Sequence, residues 1–131
     1  MSIPVLASRP GRRAYEDSVR LDTGGIVTGL REVLGAQLVA YLGRVSNTRS
    51  VREWVEGSRA PGADVVQRMR TSYYVAGILI ERESAKTIQA WFQGMNPELG
   101  DQSPAALLRV EPLADVGPKV IAAARSFAAD G

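Results

Sequence analysis

From position 26 onward, apolar residues recur at three- and four-residue intervals, and no segment alternates with period two. The pattern predicts an all-α fold. Ile26, Val27, Leu30, Val33 and Leu34 mark a first helix ended by Gly35; Leu38, Val39 and Leu42 mark a short second one ended by Gly43. Val51, Trp54 and Val55 mark a third, ended by Gly57. Pro61 opens a long fourth helix running to about Arg82, with Val65, Val66, Met69, Tyr73, Ala76 and Ile80 expected to face inward. Ser84 is placed to cap a fifth helix through Phe92, and Ser103-Pro104 to launch a sixth over residues 104–109. Pro118 is expected to start a seventh along Val120, Ile121, Ala124 and Phe127.

These elements group into three regions. Residues 1–21, with Pro4, Pro10, Gly11 and four arginines among few apolar positions, read as a flexible arm with one helical turn at Arg13–Val19. Residues 22–82 read as a helical bundle built around a helix-turn-helix, and residues 83–131 as a smaller helical region. The most heavily punctuated stretch is 88–108, IQAWFQGMNPELGDQSPAALL. Ile88, Trp91 and Phe92 share one helical face, and Asn96-Pro97 stops that helix because the residue before proline is pushed out of the helical basin. Gly100 and Asp101 supply turn chemistry before the helix restarts at Ser103-Pro104. Such a stretch specifies a shape, and a shape of this kind suits a partner.

The helix-turn-helix reading rests on residues 37–57. Ala40 is the small residue facing the partner helix, Gly43 the glycine of a sharp turn, Val45 the apolar residue buried in that turn, and Val51, Trp54 and Val55 the inner face of the second helix. If the unit binds DNA, Asn47, Thr48, Arg49 and Arg52 lie at the start of the helix that would enter the major groove, while Arg44 and Arg59 would neutralise phosphates. Residues 44–70 hold six arginines against Glu53, Glu56 and Asp64, a modest basic excess. A plain scaffold would use the same helices, and Trp54 reads as core.

Composition narrows the chemistry. The 131-residue chain has neither cysteine nor histidine. Disulfides, thiolate sites, the commonest general base and most zinc sites are therefore excluded, and no catalytic residue, metal or cofactor is expected. Glu81 and Glu83 are two residues apart on a helix and cannot share a cleft, Glu98 and Asp101 lie in a turn, and Gly24-Gly25 lacks the surroundings of a phosphate loop. No eighteen-residue apolar run and no leader pattern is present, so a cytoplasmic protein that does not enter a membrane is expected. Charge is uneven: residues 1–80 carry 11 arginines and 7 acidic groups, residues 81–131 carry 5 basic and 7 acidic groups. Two surfaces with different partners or simple charge scatter fit this equally well.

The front motif VREWVEGSRAP (51–61) and the back motif, a helix ending in Trp91-Phe92 followed by NPELGDQSPAALL (96–108), together resemble the Xre/MbcA/ParS family of antitoxins. Asn96, Pro97, Leu99, Pro104, Leu107 and Leu108 stand where that family's toxin-binding segment carries them, and the resemblance covers roughly residues 25–125. The loop reads LGDQSP where a glycine pair is commoner, and Pro112, Gly117 and Pro118 interrupt the C-terminal part. The resemblance implies an antitoxin of a type II toxin-antitoxin system that binds a RES-domain, NAD-consuming toxin and covers its active site. It also implies self-association and, in several members, repression of the operon through the helix-turn-helix.

On that reading residues 85–109 are the anchor and 109–131 the cover. Trp91, Asn96, Pro97, Leu99 and Arg109 would contact the toxin, and Asp115, Lys119, Arg125 and the carboxylate of Gly131 would meet groups that otherwise hold nucleotide phosphates. Core packing is the competing role for Trp91 and Phe92, a solvated face for Lys119 and Arg125. Tyr73-Tyr74 fits a dimer interface or an ordinary half-exposed pair. Removal of everything after Leu108 is expected to spare folding and weaken neutralisation. A stand-alone helix-turn-helix regulator, with the back half as a dimerisation unit, is the alternative function.

Overall fold

The computed structural model describes residues 11–130 and is all-α. Among the described residues there is no strand, only an isolated antiparallel bridge between Asn96 and Gln102. Eight α-helices follow in order: α1 (Arg12–Arg20), α2 (Thr23–Leu34), α3 (Ala36–Leu42), α4 (Thr48–Glu56), α5 (Ala63–Ile80), α6 (Ala85–Gln93), α7 (Pro104–Val110) and α8 (Leu113–Asp130), with a single 3-10 turn (Pro97–Leu99) between α6 and α7.

Local chemistry explains most boundaries. Asp22, Asn47, Ser84 and Ser103 each accept a hydrogen bond from a first-turn N–H, capping α2, α4, α6 and α7. The turn after α3 carries the two reverse bonds of a Schellman end, Val45 N–H to the Ala40 carbonyl at 3.0 Å and Arg44 N–H to the Tyr41 carbonyl at 3.1 Å. The left-handed residue is Arg44 (φ 61°), whereas Gly43 has an ordinary φ of −84°. Gly43 is needed for space instead. A Cβ there would lie 2.6 Å from the Trp54 ring, so the glycine lets the aromatic ring of α4 press on the end of α3.

The central helix is α5. It packs against α1, α2 and α8, and so buries residues all round: Arg68, Met69, Ser72, Val75, Ala76, Ile78 and Leu79. The single inward stripe expected from the sequence is thereby corrected. Val65, Val66 and Tyr73 are half-buried and Ile80 is exposed. Burial and the neighbouring Asp17 carboxylate hold the Tyr73 hydroxyl above the usual tyrosine range.

Three further expectations change in the fold. The arm is one: residues 12–20 form a full helix lying on α5, while residues 1–10 fall outside the described part. Periodicity could not reveal it, because α1 is held by close backbone approach and polar ties. A Cβ on Gly77 would sit 2.2 Å from Ala14, Arg70 donates to the carbonyls of Ser18 (2.8 Å) and Leu21 (2.7 Å), and the Glu81 carboxylate accepts the Gly11 N–H at 2.8 Å. The start of the last helix is another. It begins at Leu113, with Pro118 inside it. Gly117 precedes that proline, and with no Cβ it relieves much of the clash that usually drives a pre-proline residue out of the helix.

The third concerns region boundaries. One hydrophobic cluster runs from Ile26 through Met69 and Phe92 to Ala128, so residues 22–82 and 83–131 share a core. Helix α8 gives it Val116, Val120, Ala123, Ala124 and Ala128. Removal of everything after Leu108 would strip that core, so residues 109–130 are not a dispensable cover.

A buried guanidinium joins the two halves. Arg68, 5% exposed, donates to the carbonyls of Leu108 (2.9 Å) and Glu111 (2.8 Å) and pairs with Asp64 at 2.9 Å. Arg44 adds a 2.5 Å bond to the Arg109 carbonyl and a 3.3 Å pair with Asp64. Cations thus gather at the negative end of α7. Arg68→Met, which keeps the length but leaves the buried Leu108 carbonyl unbonded, should lower unfolding free energy by about 2–4 kcal/mol in denaturant titration. The hydrogen bond from Arg68, aided by its charge and that of Arg44, holds the Asp64 carboxyl below the ordinary aspartate value. Its contribution is therefore complete above the unfolded aspartate range near pH ~4 and falls away as pH drops through the lower folded value. Asp64→Asn should flatten that acid limb.

Candidate partner-binding surface

The link between α6 and α7 is built on Asn96. Its Oδ1 accepts the Glu98 N–H (2.9 Å), its carbonyl accepts the N–H of Leu99 and of Asp101 (both 2.9 Å), and its own N–H donates to the Gln102 carbonyl at 3.2 Å. Gly100 and Asp101 follow one another in the left-handed region at φ 66° and 65°. The Gln102 N–H closes back on the Leu99 carbonyl at 3.3 Å, the pattern of a type I′ turn. Aspartate tolerates that conformation better than most residues, so LGDQSP can turn without a glycine pair.

This turn raises a ridge between two grooves. One, of about 320 Å³, is walled by Trp91, Met95, Pro97 and Glu98 on one side and by Ala123, Phe127 and Asp130 of α8 on the other. Trp91 is half-buried, edge-on to Phe92 (5.5 Å between centroids) and tilted against Phe127 (6.4 Å). Met95 is 81% exposed and Phe127 37%. The second groove, beyond the 3-10 turn, is lined by Glu98, Leu99, Glu111, Asp115 and Lys119.

The residues expected to contact a toxin are therefore distributed unevenly. Trp91, Asn96 and Pro97 share the first groove, and Asp115 and Lys119 are exposed in the second. Leu99 is buried and pins the turn to the core, showing only a small part of its surface to the second groove. Arg109 is turned away, donating to the Tyr41 carbonyl at 2.6 Å with its guanidinium 4.6 Å from the Tyr41 ring centre. Arg125 is exposed and bonds the Tyr74 hydroxyl, on a face of α8 that lines neither groove. Tyr74 also meets Tyr15 edge-on at 5.4 Å, so Tyr73 and Tyr74 serve contacts inside the chain. Gly131 lies outside the described residues.

Sequence reasoning had no role for Met95 and named Phe127 only among the apolar residues along the last helix. A methionine between Gly94 and Asn96, in a stretch of turn residues with no period, is the signal that was available: an apolar side chain there has nowhere to bury itself.

No family model, curated protein or solved structure matches the chain.

The candidate DNA-contacting residues are spoken for to different degrees. Asn47 caps α4 through a 3.2 Å bond from Ser50 N–H, and Arg44 is committed to α5 and α7. Arg49 lies 4.0 Å from Glu53, Arg59 3.3 Å from Glu53, and Arg52 3.8 Å from Glu56. Arg68 and Arg70 point inward. The six arginines of residues 44–70 thus do not form a basic patch; Thr48, Arg49 and Arg52 are the exposed remainder on α4. No helix of the described residues is long and apolar enough to cross a membrane.

The ridge separates display from support, and stability measurements should separate them too. Met95→Ala should leave the unfolding free energy almost unchanged, within about 0.5 kcal/mol, whereas Leu99→Ala should cost about 2–4 kcal/mol through the cavity it leaves beneath the turn. Equal costs for the two would mean that Met95 is not free surface.

Proposed function

We propose that this chain is an antitoxin of the Xre/MbcA/ParS type, which binds a RES-domain, NAD-consuming toxin and covers its active site without chemistry of its own. The observation that carries the reading is the ridge itself. Asn96 spends its side chain and both backbone groups on closing a turn whose outer side holds an exposed methionine and a proline beside two aromatic rings. A preformed apolar surface of this kind is costly to keep in water and lowers the ordering cost of association. The absence of histidine and cysteine supports inhibition over catalysis. A cytoplasmic location follows from the proposed target.

Two further activities belong to the proposal. Self-association would use the exposed Tyr15 and Val19, which lie one turn apart on α1. Operator binding would use Thr48, Arg49 and Arg52 on α4. Because their glutamate neighbours offset the arginine charge, we assign it to the assembled complex, where two copies of α4 can act together. A stand-alone regulator would instead shift operator DNA tightly as the purified chain and form no stable complex with a toxin.

Co-expression with a RES-domain toxin encoded beside this chain should restore growth and keep cellular NAD near the level of toxin-free cells. Collapse of NAD despite a soluble complex of the two proteins would refute coverage of the active site.

A further inference from the structure

We infer that the groove between the ends of α6 and α8 is a socket for an arginine side chain of the protein partner. The inference rests on the partner-binding reading above and adds the chemistry of what that surface grips. Three features converge there. Helix α6 terminates at the groove, at Gln93–Gly94, and brings the partial negative charge of a helix C-terminus. Two carboxylates, Glu98 and Asp130, stand on its rim, and among the described residues that line it there is no cation. Among the described residues, neither carboxylate takes part in an ion pair.

The walls decide between kinds of cation. Trp91 and Phe127 face the groove with ring centroids 6.4 Å apart and tilted by 47°, and Met95 leaves its thioether in solvent at the mouth. Aromatic faces attract a cation, and a planar, weakly hydrated guanidinium gains more from them than a compact ammonium does. A guanidinium can also bond a rim carboxylate through two parallel N–H groups. A neutral apolar side chain would satisfy the rings but leave the carboxylates and the end of α6 facing it. An acidic one would be repelled. Of the chain's own cations, Arg109 is held on Tyr41 and Arg125 on Tyr74, and Lys119 lies in the second groove, where among the described residues it makes no ion pair with Glu98.

The test uses the full chain and the RES-domain toxin, with binding measured by calorimetry at two salt concentrations. Glu98→Gln with Asp130→Asn should weaken the complex about tenfold or more and reduce its salt dependence, since a charge pair at an interface is lost. Trp91→Leu should weaken it severalfold at either salt concentration, while Lys86→Ala, on an exposed position at the start of α6, should not. One toxin arginine, changed to glutamine, should lose as much as the double variant and show coupling to it in a double-mutant cycle. A complex formed by the double variant and by Trp91→Leu with affinity within about twofold of the parent chain overturns the socket while the antitoxin reading stands. Absence of any complex with the unaltered chain overturns that reading and the socket with it. Loss of self-association in the double variant, with toxin binding unchanged, assigns the groove to a second copy of this chain and also refutes the proposal.

Discussion

The fold depends on an arginine that is almost completely out of water. Arg68 projects from the middle helix into the place where α7 ends and α8 begins, and its guanidinium satisfies the carbonyls of Leu108 and Glu111 while Asp64 balances its charge. A helix end buried without partners is costly, and a chain that must turn sharply at Pro112 buries one. The guanidinium is the partner, and the direction of α8 follows from it. Because α8 completes the core and forms one wall of the groove beside Trp91, the shape of the exposed surface is set from the interior.

Helix existence was largely legible from the sequence, and the reasons are local. Ser84 and Ser103 cap as their chemistry predicts, Asp22 and Asn47 cap by the same chemistry though they were not read that way, and apolar spacing located α2, α3, α4 and α6 with little error. The failures are equally physical. Helix α1 has few apolar residues to show a period, since it is held by the Ala14–Gly77 approach and by Arg70. The facing of α5 could not be read because an enclosed helix has no outer face. Pro118 looked like a start because proline usually is one, and the glycine before it reversed the rule.

The surface was less legible than the fold. The turn at 96–103 was visible as a turn, but which of its residues support and which display depends on hydrogen bonds between positions up to six apart. Leu99 and Asn96 support it; Met95 and Pro97 are displayed. Charge was misleading in the same way. Arginine count along the chain suggested a basic front, yet Arg68 and Arg70 serve carbonyls and a carboxylate within the fold, and Arg44 does the same at its surface. A residue type reports chemistry, while its destination is a matter of packing.

The contact between Arg109 and Tyr41 has an evolutionary consequence. Together with Arg44, which reaches from the turn after α3 to the Arg109 carbonyl, it stitches the end of α3 to the end of α7 in both directions. Recombination that joined the front half of one such protein to the back half of another would inherit only one side of each stitch. The four side chains Tyr41, Arg44, Asp64 and Arg68 should then travel with the α7–α8 corner as one heritable block.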